Sequence, residues 1–346
     1  MQEIRRILIV RTDRIGDVLL TLPMAHILKQ QFPNAHIGML IRRYTAELVD
    51  DDRTIDHILF YDDGERLLPF FHLVATLRSE RFDVVFHTYP RFRLALMTWF
   101  ARIPIRVGTG YRWYSFLFNK KIYEHRKDAV RHELEYNLNL LPAIGCSVTD
   151  DPIAPSLEVR PHTLDKVKSL LVGRGVRKGE KIVILHPGSG GSARDWSAKN
   201  FGLLGQRLSQ LSDMKIVITG GKNEQTLVNE VQAVFGKPAV TFVNELNLKE
   251  YAALARLSSL FVSNSTGPLH IAAAVGTPVI GLYPQVTALS ATRWGPYTQK
   301  KTIFTPHNKP VDCSLCVQNK NGLCECMETI TVNEVFDASL KYLTTS

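Results

Sequence analysis

The stretch from Leu260 to Leu282 restricts the fold more than any other. Leu260-Phe261-Val262-Ser263 is short, apolar and strand-like, and Asn264-Ser265-Thr266-Gly267 is a polar turn. Pro268 follows, where the first residue of a helix tolerates a missing N–H. Leu269-His270-Ile271-Ala272-Ala273-Ala274 reads as that helix, and Pro278-Val279-Ile280-Gly281-Leu282 reads as a second buried strand. Strand, turn, helix and strand in so few residues form a parallel crossover. Its turn aims unsatisfied backbone N–H groups and the positive helix end at one point, which suits a phosphate. An ordinary crossover turn with no ligand has the same pattern, so the turn by itself leaves both readings open.

The same alternation runs through both halves. In the first, Arg6–Arg11, Ile37–Ile41, Ile58–Tyr61, Asp83–His87 and Ile105–Val107 read as strands. Helical stretches fall near 44–50, 65–79, 92–101 and 129–143, and Val18 to Leu28 recur at helical spacing. Residues 145–161 carry Pro152, Pro155 and Pro161 and read as a linker. After a connecting helix at 163–173, strands return at Lys181–Leu185, Met214–Ile218 and around Val240, Leu260 and Val279. Helices are expected at 198–211, 222–235, 247–257, 267–275 and 331–343. The expectation is an α/β protein of two doubly wound Rossmann-like domains facing across a cleft, divided as 1–160, 161–330 and a last helix at 331–346.

A chain of 346 residues with 45% hydrophobic residues is large enough for two buried cores. Ile7–Val10 is too short for a signal-peptide core, and no run approaches the roughly 20 apolar residues that span a bilayer. A cytoplasmic protein without a transmembrane segment is expected. The formal net charge of +9 favours an anionic partner. No helix-turn-helix, zinc-finger or RNA-binding aromatic signature is present, and the basic residues are scattered, so nucleic acid is not the expected partner. Asp50–Asp52 and Asp62-Asp63 read as solvated turns rather than a cation site. Cys313, Cys316, Cys324 and Cys326 crowd into one polar loop, where they are either reduced thiols or a structural zinc site.

Three strand ends of the second half carry polar or glycine-bearing loops: His186–Trp196, Thr219–Glu224 and the Ser265-Thr266-Gly267 turn. Glycine lets a backbone approach a ligand closely, and Arg194 offers a planar fork to phosphate oxygens. Neither G-x-G-x-x-G nor G-x-x-x-x-G-K-[ST] occurs, which argues against a dinucleotide enzyme and a P-loop hydrolase. In the first half, Thr12-Asp13-Arg14-Ile15-Gly16-Asp17 delivers Asp17 to the carboxyl edge of the first strand, where open α/β sheets place their chemistry.

These motifs resemble the heptosyltransferase family, across almost the whole chain. The specific pieces are Ile7–Pro23, His186–Phe201, Gly220–Glu224 and Ser263–Ala274, with Cys326–Ile330 similar to less-studied members. The resemblance implies a GT-B glycosyltransferase, acceptor domain first and donor domain second, with the last helix packing back on the first domain. It implies an inverting, metal-independent transfer of a heptose-like sugar from an ADP-sugar to a lipopolysaccharide-type acceptor, at the inner face of the cytoplasmic membrane. No cofactor beyond the donor is implied. Asp17 matches the family's catalytic base; taken alone, it is equally a helix N-terminal carboxylate stabilised by the dipole. Ser189, Arg194, Gly220, Gly221, Glu224, Ser265, Thr266, Gly267 and His270 fall in the donor and phosphate segments.

Arg194 stands where the family has a Lys two residues before a Trp, which keeps the charge and changes its geometry. Ser265 stands where better-studied members have an Asp tied to donor binding. Thr12, Arg14 and Gly16 flank the base, and Arg91, Arg93, Arg112 and Lys120 are expected to grip an anionic glycolipid. For any one of these cations, a solvated basic face explains it as well. Two other readings remain: the same fold with another sugar or nucleotide, and a nucleotide-binding scaffold without transfer activity.

Overall fold

The computed structural model describes residues 4–148, 153–307 and 325–344. The chain divides into two units, Met1–Pro155 and Ser156–Ser346, a few residues before the boundary expected from the linker prolines. Each is built on a parallel six-stranded sheet with helices, numbered below in chain order.

In the first unit the strands are β1 (Arg6–Val10), β2 (His36–Ile41), β3 (His57–Phe60), β4 (Val84–His87), β5 (Ile105–Thr109) and β6 (Lys120–Ile122), in spatial order β3-β2-β1-β4-β5-β6. The order reverses beside β1, because β1 pairs with β2 on one side and β4 on the other. Open sheets present a crevice at such a switch point, outside the strands' carboxyl ends. The helices are α1 (Ile15–Leu19), α2 (Leu22–Gln31), α3 (Phe70–Ser79), α4 (Phe92–Phe100) and α5 (Glu133–Leu138). β1 is buried on both faces, hence its unbroken Ile-Leu-Ile-Val.

The second unit opens with α6 (Pro161–Gly173) and contains β7 (Lys181–His186), β8 (Met214–Gly220), β9 (Val240–Val243), β10 (Leu260–Asn264), β11 (Val279–Leu282) and β12 (Lys301–Phe304), ordered β12-β11-β10-β7-β8-β9. Its switch point falls at β7, between β10 and β8. α7 (Ala198–Leu208), α8 (Gln225–Phe235), α9 (Leu248–Arg256), α10 (Gly267–Ala274), α11 (Ala291–Trp294) and α12 (Val332–Leu343) complete it.

The last helix packs within its own unit. A capping box between Thr331 and Glu334 starts α12, and Val335, Ala338 and Leu343 enter a core cluster with Phe201, Leu204 and Leu208 of α7. The Lys181 ammonium donates to the Leu343 carbonyl at 2.6 Å. The apolar face of α12 is therefore committed to the second unit, where each buried aliphatic side chain contributes about 1.5–3 kcal/mol.

Two expectations change. Residues 129–143 do not form one helix: α5 ends at Leu138, and a 3-10 turn follows at Leu141–Ile144, where Pro142 lacks the N–H a continued helix needs. Asp62 is not a solvated turn residue but is buried, accepting from Arg42 Nε at 2.5 Å and the Arg43 backbone N–H at 2.8 Å. Asp52 likewise accepts from Thr54 and pairs with His26 at 3.1 Å.

Candidate functional site

The carboxyl edge of β1 holds a charge network. Arg11 continues the strand and is 1% exposed, yet carries a guanidinium. Burying it requires several acceptors, and three carboxylates answer: Asp13 at 2.7 Å, Asp17 in direct contact, and Glu133 of α5 at 3.1 Å. Arg126 shares the Glu133 oxygen at 2.6 Å and the Asn137 side-chain oxygen at 3.1 Å. Asn137 is wholly buried and returns its NH2 to the Leu20 carbonyl and the Thr21 hydroxyl. The Thr21 hydroxyl in turn donates to the Asp17 carbonyl at 2.8 Å. Asp17, in the first turn of α1, is thus fixed through side chain and backbone while its side chain stays 13% exposed.

Burial pushes the Asp13 carboxyl up to about 7, against the pull of Arg11 and with the help of the Asp17 charge. Gly16 is buried within α1, and Arg14 is exposed at its N-cap. Beside the same edge lies a cavity of about 690 Å3, lined among others by Thr12, Arg42, Tyr89, Arg91, Arg93 and Arg112. Four of the seven residues expected at an acceptor site, Thr12, Arg91, Arg93 and Arg112, meet there. Lys120, exposed on β6, does not line it. A second cavity of about 310 Å3 adds His125, Arg126 and Lys127 to Arg112. Within these cavities the cations are partly engaged: Arg93 donates to the Leu68 carbonyl at 2.6 Å, and Arg91 lies over the Tyr89 ring.

The second unit's carboxyl edge is built from backbone and short polar groups. Asn264 ends β10 fully buried; its side-chain oxygen accepts the Trp196 N–H at 2.9 Å, and its NH2 donates to the Pro187 carbonyl at 2.6 Å. One side chain therefore pins both ends of the loop after β7. Ser192 completes the join by donating to the carbonyls of Ser189 and Ser265. Trp196 lies beneath the loop, its indole N–H on the Ile330 carbonyl at 2.8 Å, and Glu328 caps the start of α7 through Ser197 and Asn200. The segment ending the cysteine loop is thus a fastener for the Trp196 loop.

Glu224 accepts the N–H groups of Gly190 at 3.1 Å and Gly221 at 2.7 Å. A Cβ at Gly188 would meet that carboxylate at 2.0 Å, so a larger residue there would push Glu224 off its two N–H partners. Gly220 ends β8 and is buried. His186 is buried, within 2.9 Å of the Thr219 hydroxyl and 3.2 Å of the Tyr251 hydroxyl, and burial pushes it down to about 4, leaving a neutral ring. Burial pushes Asp195 up to about 7, with the Glu224 charge adding and Ser189 and Arg194 opposing. Ser189 is buried, whereas Arg194 and Ser265 are half-buried. Thr266 is the N-cap of α10 but makes no side-chain cap bond, so the first N–H groups, from Gly267 onward, have no cap side chain. His270, one turn into α10, is buried.

The structure thus gathers Ser189, Arg194, Gly221, Glu224, Ser265, Thr266 and Gly267 on loops at the carboxyl edge of one sheet. Sequence reasoning overlooked Arg11, Glu133, Arg126 and Asn264 as determinants. An arginine closing an apolar strand was the available sign for Arg11. Glu133 and Arg126 had none, since nothing local ties them to β1. Cys313, Cys316 and Cys324 lie outside the described residues, and Cys326 sits in the Glu325–Thr329 turn. Among the described residues, His36, His57 and Glu80 could hold a metal ion; both histidines begin strands, at the amino edge of the first sheet opposite Asp17.

Two parallel, doubly wound sheets, each with its polar groups beyond the strands' carboxyl ends, are the architecture of the GT-B fold. The model of glycosyltransferase family 9 (heptosyltransferase) matches residues 70–322, and the chain belongs to that family. Lipopolysaccharide heptosyltransferase 3 of Escherichia coli K12 is 27% identical over 304 residues, covering 85% of this chain and 86% of the relative. A family 9 glycosyl transferase from Veillonella parvula superposes with a TM-score of 0.82 at 21% identity, over 99% of this chain and 98% of the other. The E. coli heptosyltransferase WaaC with ADP gives 0.70 at 16% identity, over 97% and 99%. Among the described residues no helix is long and apolar enough to cross a membrane.

Proposed function

We propose that this glycosyltransferase moves a heptose-like sugar from an ADP-activated donor to an anionic glycolipid of the lipopolysaccharide core type, with inversion and without a metal ion. The observation that carries the reading is the Asp17 carboxylate, clamped by buried Arg11 and still accessible. Asp17 takes the proton of an acceptor hydroxyl as its oxygen bonds to the anomeric carbon and the bond from that carbon to the diphosphate breaks. Arg194 and the N–H groups at the start of α10 receive the charge that develops on the departing diphosphate. Glu224 holds the Gly190 and Gly221 backbone in the shape the donor needs. Arg91, Arg93 and Arg112 grip acceptor phosphates or carboxylates in the first unit's cavity. The ADP-bound WaaC relative supports the nucleotide. The acceptor's lipid places the enzyme at the inner face of the cytoplasmic membrane.

Ser265, where better-studied members have Asp, supports a second reading in which the fold and phosphate site stay and the sugar differs. Thermal unfolding with ADP, UDP and GDP, each with and without EDTA, tests both. A ligand bound only by the native state stabilises it by about 2.7 kcal/mol at a hundred times its dissociation constant. A selective shift with ADP that survives EDTA is expected. A shift with UDP or GDP alone overturns the ADP-sugar assignment. Loss of the ADP shift in EDTA overturns metal independence. Turnover with ADP-heptose against another ADP-sugar then decides between the two readings.

A further inference from the structure

α4 is apolar on two faces. Leu94, Ala95, Met97 and Thr98 are buried in the first unit. The opposite face carries Phe92, Leu96, Trp99 and Phe100; Phe92 meets Trp113 at 4.7 Å and Leu96 packs against the cluster of Tyr114, Leu117 and Phe118, whereas Trp99, 47% exposed, and Phe100, 40%, face outward. α3 extends this face: Phe70 meets Phe100 edge-on at 5.9 Å and Phe71 at 5.3 Å, and Phe71 is 75% exposed. Trp99 meets Phe100 at 5.1 Å, so the exposed rings of Phe71, Trp99 and Phe100 are linked through half-buried Phe70, which packs on the core, into one continuous cluster. A helix with a second apolar face has that face covered by something, and a contiguous exposed patch marks a contact surface.

The surroundings identify the cover. A groove of about 530 Å3 runs beside Trp99 and Phe100, and Arg78, Arg102 and Arg106 line it with no acidic side chain. Arg78 and Arg106 are held by backbone carbonyls, of Phe100 at 3.2 Å and of Leu117 at 2.8 Å, so their charges are fixed beside the rings. Aromatic rings next to arginines suit the headgroup level of a bilayer, and anionic lipid attracts such cations. A second copy of the chain is a poorer fit, because a two-fold contact brings the same patch, and the same three cations, against itself. At its other end α4 supplies Phe92 and Arg93 to the cavity that also contains Arg91 and Arg112. One helix thus joins the ring cluster to that cavity.

We propose that the outward face of α3 and α4, centred on Phe71, Trp99, Phe100 and Arg102, docks on an anionic phospholipid bilayer. The proposal rests on the reading of the acceptor as a glycolipid and names the surface that delivers the cavity to it.

The test is sedimentation of the full chain with vesicles of phosphatidylcholine alone and of phosphatidylcholine with phosphatidylglycerol. The unaltered protein is expected to sediment with the anionic vesicles and remain in solution with the neutral ones. Trp99→Gln with Phe100→Gln should reduce that binding by about tenfold or more, since two large apolar groups leave the interface. Arg102 lies at φ +60, a backbone state asparagine tolerates, so Arg102→Asn removes the charge without strain and should weaken binding about fivefold. The ADP thermal shift on the same samples reports folding and the donor reading separately, and it should not change. Failure to sediment with anionic vesicles overturns the proposal, as does binding that survives the double substitution. A concentration-dependent dimer that the double substitution dissolves also overturns it, in favour of a second copy.

Discussion

The two units place polar groups at the same topological position and use opposite chemistry to do so. At the carboxyl edge of β1, long side chains from distant segments meet: Arg11, Asp17, Glu133 and Arg126 form a nearly dry charge network. At the edge of β7 and β10, short side chains and backbone dominate, with Asn264 and Glu224 each organising two loop contacts. The difference follows from what each edge is proposed to hold. A base must keep one carboxylate in one place, and a buried guanidinium achieves that because moving away leaves charge unpaired. A diphosphate brings its own charge, so converging N–H groups serve it better than a fixed cation network.

The largest expected effect is on turnover. Asp17→Asn should lower kcat by about a hundredfold to ten-thousandfold, the usual range for a lost general base, and leave the ADP thermal shift intact. A variant that retains turnover ends the assignment of Asp17. Next comes stability. Arg11→Met removes the cation that Asp13 and Asp17 share, while Glu133 keeps Arg126, and should destabilise the fold by about 3–5 kcal/mol in urea unfolding, as breaking a buried ion network does. Arg194→Met, at the half-buried counterpart, should change stability by less than about 1 kcal/mol while weakening ADP binding. Equal losses for the two arginines erase the contrast between the edges.

Asn264→Ala leaves the Trp196 N–H and the Pro187 carbonyl without their partner and should destabilise by about 2–6 kcal/mol, each buried orphan contributing about 1–3. Its ADP shift should shrink too, because the loop loses its anchor at both ends. The smallest effect is pH-dependent. Asp195, with a folded value of about 7 above an unfolded value of 3.8, binds its proton more tightly when folded. Its contribution is therefore fully present at low pH and falls as pH rises from about 4 to 7, then stays constant. Asp195→Asn should match the parent near pH 4 and exceed it at pH 8 in urea unfolding. Buried His186, lowered to about 4, acts oppositely: its contribution grows as pH rises through 4 to 6.5. Removing Asp195 should therefore make the slope over that window more positive than the parent's, with the raised Asp13 carboxyl still opposing His186.

Much of this was legible in the chain. Inner strands such as β1, β7 and β10 are buried on both faces and read as apolar runs. The edge strands β6 and β12 escaped notice: each begins with lysine, is only partly covered and shows no such run. The strand-end positions of Asp17 and the Thr266-Gly267 turn were legible because they depend on local spacing alone. The cations proposed for the acceptor were only half legible, since composition marks Arg91, Arg112 and Lys120 alike, while cavity shape separates the first two from the third.

The sequence by itself determined two doubly wound α/β domains, the strand ends that carry polar loops, and the family, because period, turn residues and short motifs act over a few residues. Tertiary structure alone decided which charges are buried together, which unit the last helix stabilises, and which face of α4 is left uncovered. Arg11 and Glu133 are 122 residues apart and meet at 3.1 Å. No local pattern specifies that meeting; the need to compensate a guanidinium carried into the interior by an apolar strand does.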